Sequence, residues 1–344
     1  MILVKNIYYM LSYAFKALKE QGYKNIETEN FENVAELLSE ILIKGLKIEI
    51  KRGLFKNYEN LTDTLSTIKG KINIGSTIKN QTLLNGKIVC NFDEFTENTY
   101  LNQIIKVTLV KLLHAKIAKQ KVKRIKDLLV FFNNVSDIDY QNINWKITYS
   151  RNNHNYKMII AICNLILKGL IQTNSIGKTK LMDFIDEQRM SSLYERFILE
   201  YFKQEHPDIE TNASFINWQL DDGFDMFLPR MKSDISLSYK DKFLIIDAKY
   251  YSKNMQSHFD KDTIISANIY QIFTYVKNKS FETKGQREVS GMLLYAGTTD
   301  DIQPKVEYMM SGNKIAINIL NLNQPFEHIK KELDYIYLNL LGIE

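Results

Sequence analysis

The sequence predicts an α/β fold in which a mixed sheet is flanked by helices and follows a mostly helical N-terminal domain. Residues 243–246 form an uninterrupted apolar run, which is typical of a strand buried on both faces. Residues 233–239 alternate polar and apolar side chains, which predicts a second strand with one polar face. Amphipathic patterns on either side of this pair, at 191–204 and 263–277, predict helices that pack on the sheet.

The other elements follow from the same hydrophobic periodicity. Upstream of the sheet, the pattern predicts helices at Val4–Lys19, Val34–Ile50, Asn98–Gln120 and Tyr156–Lys168. Short strands are expected at Ile68–Ile74 and Gly86–Asn91. Downstream, strands are expected at Val289–Tyr295, Val306–Met310 and Lys314–Leu320, and a closing helix at Pro325–Leu341. The Asn- and Ser-rich run 133–155 predicts a boundary between two domains, residues 1–150 and residues 151–344.

The two strands near residue 240 are expected to pair as an antiparallel hairpin with a two-residue turn. In a symmetric loop Tyr239 pairs with Lys242, and Asp234 then falls directly opposite Asp247. Cross-strand partners point to the same face with Cβ atoms roughly 4.5 to 5.5 Å apart. Because side chains alternate along a strand, Lys249 shares the face of Asp247. The sequence therefore predicts two carboxylates that converge beside one lysine.

Two carboxylates at that distance repel each other and raise one pKa unless a cation lies between them. Hard divalent cations prefer oxygen ligands, and Mg²⁺ often takes only one or two carboxylates, with water and phosphate completing its shell. We therefore expect Mg²⁺, or Mn²⁺ in its place, between Asp234 and Asp247. Such an ion activates water and offsets phosphodiester charge, and Lys249 can orient the nucleophile or stabilise the same charge. The bland alternative is a surface hairpin with two solvated acids, which the buried run 243–246 disfavours.

Asp234 and Asp247-Ala248-Lys249 together resemble the motif of PD-(D/E)xK nucleases, an acid on one strand and an acid-x-lysine on the next. Ser233 stands where the family usually has proline. The resemblance implies a restriction-endonuclease-like core and metal-dependent phosphodiester hydrolysis of DNA. It also implies a metal-binding glutamate on the helix before the sheet, and Glu195 is the matching position, at the edge of the apolar stripe of helix 191–204. The alternative role for Glu195 is a carboxylate that only solvates the helix.

A second pair of residues lies on the predicted helix after the lysine. Gln271 and Tyr275 are four residues apart, so their side chains meet on the helix surface. They are similar to the QxxxY motif of nuclease groups related to the RecB nuclease domain. That resemblance implies that both side chains can reach the metal-bound water or a DNA phosphate. On spacing alone, a tyrosine at this position is more often part of a core.

Positive charge is concentrated in residues 106–126, where eight Lys and Arg residues occur without an acid. Such a stretch is typical of a surface that contacts the phosphate backbone of nucleic acid. The predicted DNA contacts are Lys111, Lys116, Lys119, Lys123 and Arg124. A lysine-rich helix face that contacts only water is the alternative. Interspersed apolar residues show that the same stretch also packs on something.

Four segments resemble McrC-type proteins, the nuclease subunits of McrBC-like restriction systems. They are residues 4–14 (VKNIYYMLSYA), 68–72 (IKGKI), 90–102 (CNFDEFTENTYLN) and 228–231 (LPRM). The resemblance implies a DNA endonuclease subunit in restriction defence. It also implies a partner, an McrB-like AAA+ GTPase that recognises DNA, often with modified cytosine, and whose hydrolysis the nuclease subunit stimulates. In this family the N-terminal domain is expected to contact the partner and DNA.

Cysteine usage and the lack of long apolar segments predict the cellular compartment. Of the 344 residues only Cys90 and Cys163 are cysteines, and without CxxC spacing they indicate neither a disulfide framework nor a zinc site. We expect a cytoplasmic protein that does not contact a membrane, because neither a signal peptide nor an apolar stretch of membrane-spanning length is visible.

Two other functions remain open beside the restriction nuclease. One is a free-standing DNA repair or recombination nuclease, and the other is a catalytically silent adaptor of an AAA+ motor. The converging acids argue against the adaptor.

Overall fold

The computed structural model of the chain describes residues 2–19, 23, 26, 29, 31–175, 187–223, 225–250, 255–258, 261–297 and 305–342. The chain divides into two compact units. We call residues 1–34 and 181–344 the sheet unit and residues 35–180 the helical unit. This division differs from the boundary expected near residue 150, because the first 34 residues join the second half of the chain and residues 151–180 join the helical unit.

The described helices, in chain order, are α1 (Val4–Ala14), α2 (Val34–Arg52), α3 (Ile74–Lys79), α4 (Tyr100–Leu112), α5 (Lys119–Leu129), α6 (Tyr156–Ser175), α7 (Glu187–Glu205), α8 (Ser266–Glu282) and α9 (Phe326–Leu340). The described strands are β1 (Asn57–Leu65), β2 (Lys71–Ile72), β3 (Ile88–Thr96), β4 (Glu210–Asn212), β5 (Phe215–Ile216), β6 (Met231–Lys232), β7 (Ile235–Tyr239), β8 (Lys242–Lys249), β9 (Met255–His258), β10 (Lys261–Ile264), β11 (Glu288–Ala296), β12 (Val306–Met310) and β13 (Asn313–Leu320). None of the helices within these ranges has the length and apolar character needed to span a bilayer.

The sheet unit is built around a six-stranded mixed sheet in the order β12-β13-β11-β8-β7-β4. Strands β8, β11 and β13 run parallel to their neighbours in this group, whereas β7, β4 and β12 pair antiparallel. Strand β8 is buried along almost its whole length, as its apolar run predicts. Helices α7 and α8 both pack against β8. The predicted α/β class, a mixed sheet flanked by helices, is confirmed.

The β7–β8 hairpin has the predicted register. Tyr239 pairs with Lys242 at the turn, and the ladder continues to Ile235 opposite Ile246. One step further along the same ladder, Asp234 therefore lies opposite Asp247. The alternation of β7 and the apolar run of β8 predict the same register. In this register, the polar residues at the open end of the hairpin share one face.

Helix α8 covers the face of the sheet that carries the polar residues. Ile272 and Val276 of the helix pack with Phe243, Ile245 and Leu293 of β8 and β11 in one buried cluster. Residues two apart on a strand share a face, so the residues at positions 247 and 249 lie on this side as well. The helix predicted over residues 263–277 begins slightly later and continues to Glu282.

Helix α1 belongs to the sheet unit because its side chains are bonded to distant parts of that unit. The Asn6 side chain donates hydrogen bonds of 2.8 Å to the carbonyl oxygens of Leu322 and Gln324. The Tyr13 hydroxyl donates to Glu205 at the end of α7, at 2.7 Å. Local hydrophobic periodicity does not reveal contacts between residues that are so far apart in the sequence. The predicted domain boundary therefore did not assign α1 to the sheet unit.

In the helical unit, the predicted helix over residues 98–120 is two helices, α4 and α5, with a break between them. Ala118 has an extended backbone and its N–H donates a 2.5 Å hydrogen bond to the carboxylate of Glu36 on α2. The Lys121 side chain pairs with the same carboxylate. A buried glutamate on another helix thus fixes where α5 begins, and this tertiary contact overrides the helical pattern through residue 118.

A three-stranded sheet in the order β1-β3-β2 completes the helical unit. Strand β3 overlaps the strand expected at 86–91, but β1 was not predicted. Only Lys71 and Ile72 of the strand expected at 68–74 are extended in the ladder. The next residue, Asn73, accepts a hydrogen bond from the Ser76 N–H at 3.0 Å and so begins α3.

Gly291 of β11 allows α8 to approach the sheet closely, and its replacement by alanine should be destabilising. A Cβ atom there would lie 2.6 Å from Val276 Cγ2 and 2.9 Å from Ile272 Cγ1, in a fully packed core. We expect Gly291→Ala to reduce the free energy of unfolding by about 1–3 kcal/mol, as overpacking typically does. Urea denaturation followed by circular dichroism measures this loss.

The control is Gly75→Ala on α3, where the nearest atom to a new Cβ is 3.8 Å away. This variant should be as stable as the natural chain or slightly more stable. Adding Val276→Ala to Gly291→Ala should restore part of the space, so the double variant should lose less than the sum of the two single losses. Additive losses would mean that the two residues do not compete for that space.

Candidate active site

Asp234 immediately precedes β7, at the open end of the hairpin. Its Oδ2 atom accepts a 2.9 Å hydrogen bond from the N–H of Ala248 on β8. This bond ties the carboxylate to the strand that carries the second acid. Asp234 is half-buried, whereas Asp247 is only 1% exposed. The structure therefore brings the two predicted acids together at the sheet, one reachable from solvent and the other fully enclosed.

Lys249 is held between the acid pair and helix α8. Its Nζ lies 2.7 Å from Asp247 Oδ2 and donates a 3.1 Å hydrogen bond to Gln271 Oε1. Gln271 Nε2 in turn donates to the Tyr275 hydroxyl at 3.1 Å. The predicted glutamine and tyrosine thus form a chain of contacts that ends at the lysine. This chain holds the ammonium group beside Asp247.

Glu195 joins the same neighbourhood from helix α7. Burial raises its pKa, and the charge of Asp247 raises it further, while the Ser191 hydroxyl and the charge of Lys249 lower it. The Ser191 hydroxyl donates to Glu195 Oε1 at 2.9 Å. The structure therefore places the six predicted catalytic residues in one neighbourhood, with Glu195 on α7 and with Gln271 and Tyr275 on α8.

The electrostatics of the acid pair are unfavourable as long as no cation is bound. Burial, together with the negative charges of Asp247 and Glu195, raises the pKa of Asp234 to about 8. Burial also raises the pKa of Asp247, although the charge of Lys249 opposes it. Each carboxylate has lost hydration, and one lysine does not balance both acids. The raised pKa of Asp234 therefore favours one proton on the pair at neutral pH when no cation is bound.

These residues fit a hard divalent cation that uses few protein ligands. Among the described residues, no donor is directed with hydrogen-bond geometry at the buried Oδ2 of Asp247, despite its ion pair with Lys249. No group of three or more His, Cys, Asp and Glu side chains in the described ranges is arranged to hold a metal. The donor set is thus the pair Asp234 and Asp247, with Glu195 nearby. Mg²⁺ accepts such a set, because it commonly keeps several waters.

Ser233 has a structural role that a proline could not fill. Its N–H donates to the carbonyl oxygen of Ser214 at 3.0 Å, and its hydroxyl accepts from the Ser214 N–H at 3.1 Å. The hydroxyl also lies 2.7 Å from that of Ser236. A proline at 233 has no N–H and would lose the first of these bonds. These serines fix the backbone just before Asp234.

Sequence reasoning missed the pair that sets helix α8 against the sheet. The buried amide of Asn268 donates a 2.9 Å hydrogen bond to the hydroxyl of Tyr295 on β11. Tyr295 lies beside Lys249 in the parallel ladder. Asn268 precedes Gln271 by one helical turn, so this bond fixes the position of Gln271 along the sheet, beside Lys249. Asn268 and Gln271 are three residues apart and so lie on one face of the helix, but the sequence does not identify the partner strand.

The five predicted DNA contacts fall in two groups in the helical unit. Lys111 lies over the ring of Tyr140, and Arg124 makes a two-bond ion pair with Glu40, at 2.8 and 3.0 Å. The other group consists of Lys116, Lys119 and Lys123, which are exposed. Two of the five side chains therefore have partners within the unit.

Comparison with known proteins identifies relatives over nearly the whole chain. The family model described as McrBC 5-methylcytosine restriction system component matches residues 4–296. The type IV methyl-directed restriction enzyme EcoKMcrBC of Escherichia coli (strain K12) is 31% identical over 337 residues, which cover 96% of this chain and 95% of that protein.

Among solved structures, the chain is similar to one from Thermococcus gammatolerans, described as a half-complex of McrB AAA+ hexamers with bound McrC. The match has 15% sequence identity and a TM-score of 0.51, and it covers 97% of this chain and 76% of that chain. At this identity the likeness shows the fold alone.

Mg²⁺ should stabilise the natural chain against heat but should stabilise an Asp234→Asn variant much less. A ligand at about 100 times its Kd adds roughly 2.7 kcal/mol. This gain corresponds to a rise in Tm of roughly 5–10 °C for a unit of this size. The variant loses a charged ligand, although its side-chain oxygen can still accept from the Ala248 N–H. Differential scanning fluorimetry across a Mg²⁺ series measures both shifts.

The matched control is Asp241→Asn, in the exposed turn of the same hairpin. This variant should respond to Mg²⁺ like the natural chain. In metal-free buffer, Asp234→Asn should unfold at the same temperature as the natural chain or higher, because the amide needs no proton to avoid a poorly hydrated charge beside Asp247. An equal Mg²⁺ shift in all three proteins would show that the ion does not bind at the acid pair.

Proposed function

Because the chain belongs to the McrBC 5-methylcytosine restriction system component family, we propose that it is the DNA-cleaving subunit of such a system. The reaction is hydrolysis of a DNA phosphodiester by a metal-dependent site of the PD-(D/E)xK type. The observation that carries the proposal is the convergence of Asp234, Asp247 and Lys249 on one face of a buried hairpin. A protein that served only as an adaptor would have no use for two acids held side by side against their mutual repulsion.

Asp234 and Asp247 would hold Mg²⁺, with Glu195 as a further carboxylate. Mn²⁺ could take the place of Mg²⁺. When bound, the ion lowers the pKa of a coordinated water and offsets negative charge on the phosphodiester. Lys249 supplies a fixed positive charge for the phosphate oxygens as the P–O bond is broken. Gln271 keeps the ammonium group in place through its 3.1 Å hydrogen bond, and Tyr275 holds the glutamine. The helix α8 residues thus act by positioning the lysine.

The partner of this chain is, by our proposal, an McrB-like AAA+ GTPase, and the helical unit offers a surface for it. Large apolar side chains are exposed on its small sheet and on the segment between β2 and β3. They are Tyr58, Ile74, Ile78, Leu83, Leu84 and Phe95. Clustered apolar side chains in water commonly mark a protein interface. Two buried free cysteines agree with the reducing cytoplasm expected for such a complex.

DNA contact by the helical unit is proposed for its exposed lysines. Lys116, Lys119 and Lys123 lie at the break before α5 and on its first turns. They are exposed and supply charge that backbone phosphates can neutralise. Lys111 and Arg124 contribute less in this proposal, because Tyr140 and Glu40 already contact them.

Removal of Asp247 or Lys249 should abolish cleavage of DNA in the presence of the partner and Mg²⁺. Alanine at either position removes a metal ligand or the positive charge at the phosphate, and we expect a loss of about a hundredfold or more. Asp234→Ala should behave likewise. Gln271→Ala should have a smaller effect, since Lys249 remains. Gel analysis of plasmid cleavage under single-turnover conditions provides the rates.

Two controls separate loss of chemistry from loss of fold. Lys242→Ala removes a lysine at the other end of β8, in an ion pair with Glu288, and should leave the rate unchanged. Asp247→Ala should still stimulate GTP hydrolysis by the partner, because docking does not need the acids. Efficient cleavage of ordinary duplex DNA without any partner would favour a free-standing repair nuclease. Undiminished cleavage by the alanine variants would favour the silent adaptor.

Replacing Lys116, Lys119 and Lys123 by glutamine should weaken DNA binding and flatten its dependence on salt. The binding constant falls as salt rises, and each lost phosphate contact makes the slope of log K against log salt shallower by about 0.9 for duplex DNA. The slope of the triple variant should therefore be shallower by up to about 2.7. Fluorescence anisotropy of labelled DNA at several salt concentrations measures the slope.

Arg124→Gln is the contrasting variant. It removes the two-bond partner of the buried Glu40 and leaves only the longer ion pair with Lys44 among the described residues, so we expect a lower Tm and an unchanged salt slope. An unchanged slope in the triple lysine variant would assign those lysines to solvent or to the protein partner.

A further inference from the structure

An open cleft of about 550 Å³ lies beside the strand that leads into Asp234. Residues of β5, of β6 and of the loop between them line it. Phe215 and Trp218 supply aromatic surface, and Asn217, Gln219 and Asp225 supply hydrogen-bonding side chains. This combination is typical of a small-molecule or nucleobase site, in which a few polar groups orient a flat ligand between apolar walls.

The walls of the cleft are fixed before any ligand arrives. The indole N–H of Trp218 donates a 2.7 Å hydrogen bond to the carbonyl oxygen of Pro229 across the loop. Trp218 also packs against the core that contains Ile216 and Met231. The Gln219 N–H donates to the Asn278 side chain on α8 at 2.8 Å. The cleft is therefore anchored to the helix that positions Lys249.

Phe215 is the most informative wall residue because it is 59% exposed on a paired strand. An aromatic ring held in water on a rigid element loses little conformational freedom when it binds a flat partner. Lys232, its partner in the ladder, has its Nζ 5.7 Å from the ring centre. The ring thus combines an open apolar face with a nearby positive charge.

The cleft lies within reach of the same DNA strand that the acid pair would bind. Met231, which lines the cleft, is three positions before Asp234, and three extended residues span at most about 10 Å. Consecutive phosphates of one DNA strand are about 3.4 Å apart along the axis. A base within about three nucleotides of a phosphate at Asp234 can therefore enter the cleft.

The local charge favours a base over phosphate groups as the occupant. Residues 215–232 contain three aspartates, Asp221, Asp222 and Asp225, but only two basic residues, Arg230 and Lys232. A segment with this balance does not attract a polyanion by charge alone. Amide and carboxylate groups do match the donors and acceptors on the edge of a base, and aromatic rings match its face.

We propose that this cleft is a nucleobase subsite that receives an unpaired base of the DNA strand next to the phosphate to be cut. Phe215 and Trp218 provide the stacking surface, and Asn217, Gln219 and Asp225 contact the base edge. The base must be unpaired, since pairing hides both its edge and its faces. This inference rests on the proposed nuclease function of Asp234 and Asp247.

The chain allows a direct binding test, because Trp145 and Trp218 are its only tryptophans. In a Trp145→Phe background, Trp218 is the sole indole reporter in the full-length protein. The probe is a single-stranded DNA of about ten nucleotides, a length within the range that such sites bind. The matched probe has the same sugar-phosphate backbone without bases. Both titrations are done in EDTA, so that cleavage does not interfere.

We expect the base-containing DNA to change Trp218 fluorescence and to bind about five- to a hundredfold more tightly than the base-free DNA. Phe215→Ala should remove most of this difference, and Asn217→Ala part of it. Phe281→Ala, an equally exposed phenylalanine on α8 outside the cleft, should leave it unchanged. Melting temperatures of the variants confirm that each remains folded.

Equal affinity for the two probes, or an effect of Phe215→Ala no larger than that of Phe281→Ala, would overturn the proposal. A Phe215→Ala variant that binds DNA normally but no longer stimulates the GTPase would instead make the cleft a protein contact. The binding test needs neither metal nor partner. Base-dependent binding without any cleavage by the complex would therefore refute the nuclease function and leave the subsite standing.

Discussion

The register of the β7–β8 hairpin is the constraint on which the candidate site depends. A slip of one residue would turn Asp247 and Lys249 to the opposite face of the sheet. Five cross-strand pairs fix the register between the turn and the acids. At the turn, Lys240 adopts a left-handed backbone conformation with φ of 51°. Because Asp234 and Asp247 lie at the far end of this ladder, their convergence is set by apolar packing and turn geometry, and their own interaction opposes it.

The surrounding structure holds the acids together despite that repulsion. Burial raises the pKa of both carboxyl groups, so the folded chain has a local electrostatic conflict that its packing must offset. The support comes through α8, which approaches the sheet closely at Gly291 and carries Gln271 to Lys249. The hydrogen bond between Asn268 and Tyr295 fixes the position of that helix along β11. A conflict sustained by several independent contacts is a feature of functional sites, where strain and charge serve binding.

Sequence patterns predicted those parts of the structure that local periodicity determines. The hairpin and its register follow from alternation and one apolar run and are confirmed, and Asp234, Asp247 and Lys249 lie where that register puts them. The break before α5 did not follow, since Glu36 lies 82 residues before the Ala118 N–H that it binds. The place of α1 in the sheet unit depends on Asn6 and the carbonyl of Leu322, which are 316 residues apart. Long-range partners of this kind have no signature in a single sequence.

The same limit explains why clustered charge is an uncertain guide to binding. Residues 106–126 carry eight cations without an acid, yet Lys106, Lys121 and Arg124 pair with carboxylates from elsewhere in the helical unit. Lys249 also has a carboxylate partner, but its case is different. Asp247 shares its pocket with a second acid and is a candidate metal ligand, so a bound cation would share its negative charge. Lys249 would then keep Gln271 as its hydrogen-bond partner while losing part of its counter-charge. In the proposed site, the ammonium group would thereby be held in position and be available to an anionic phosphate.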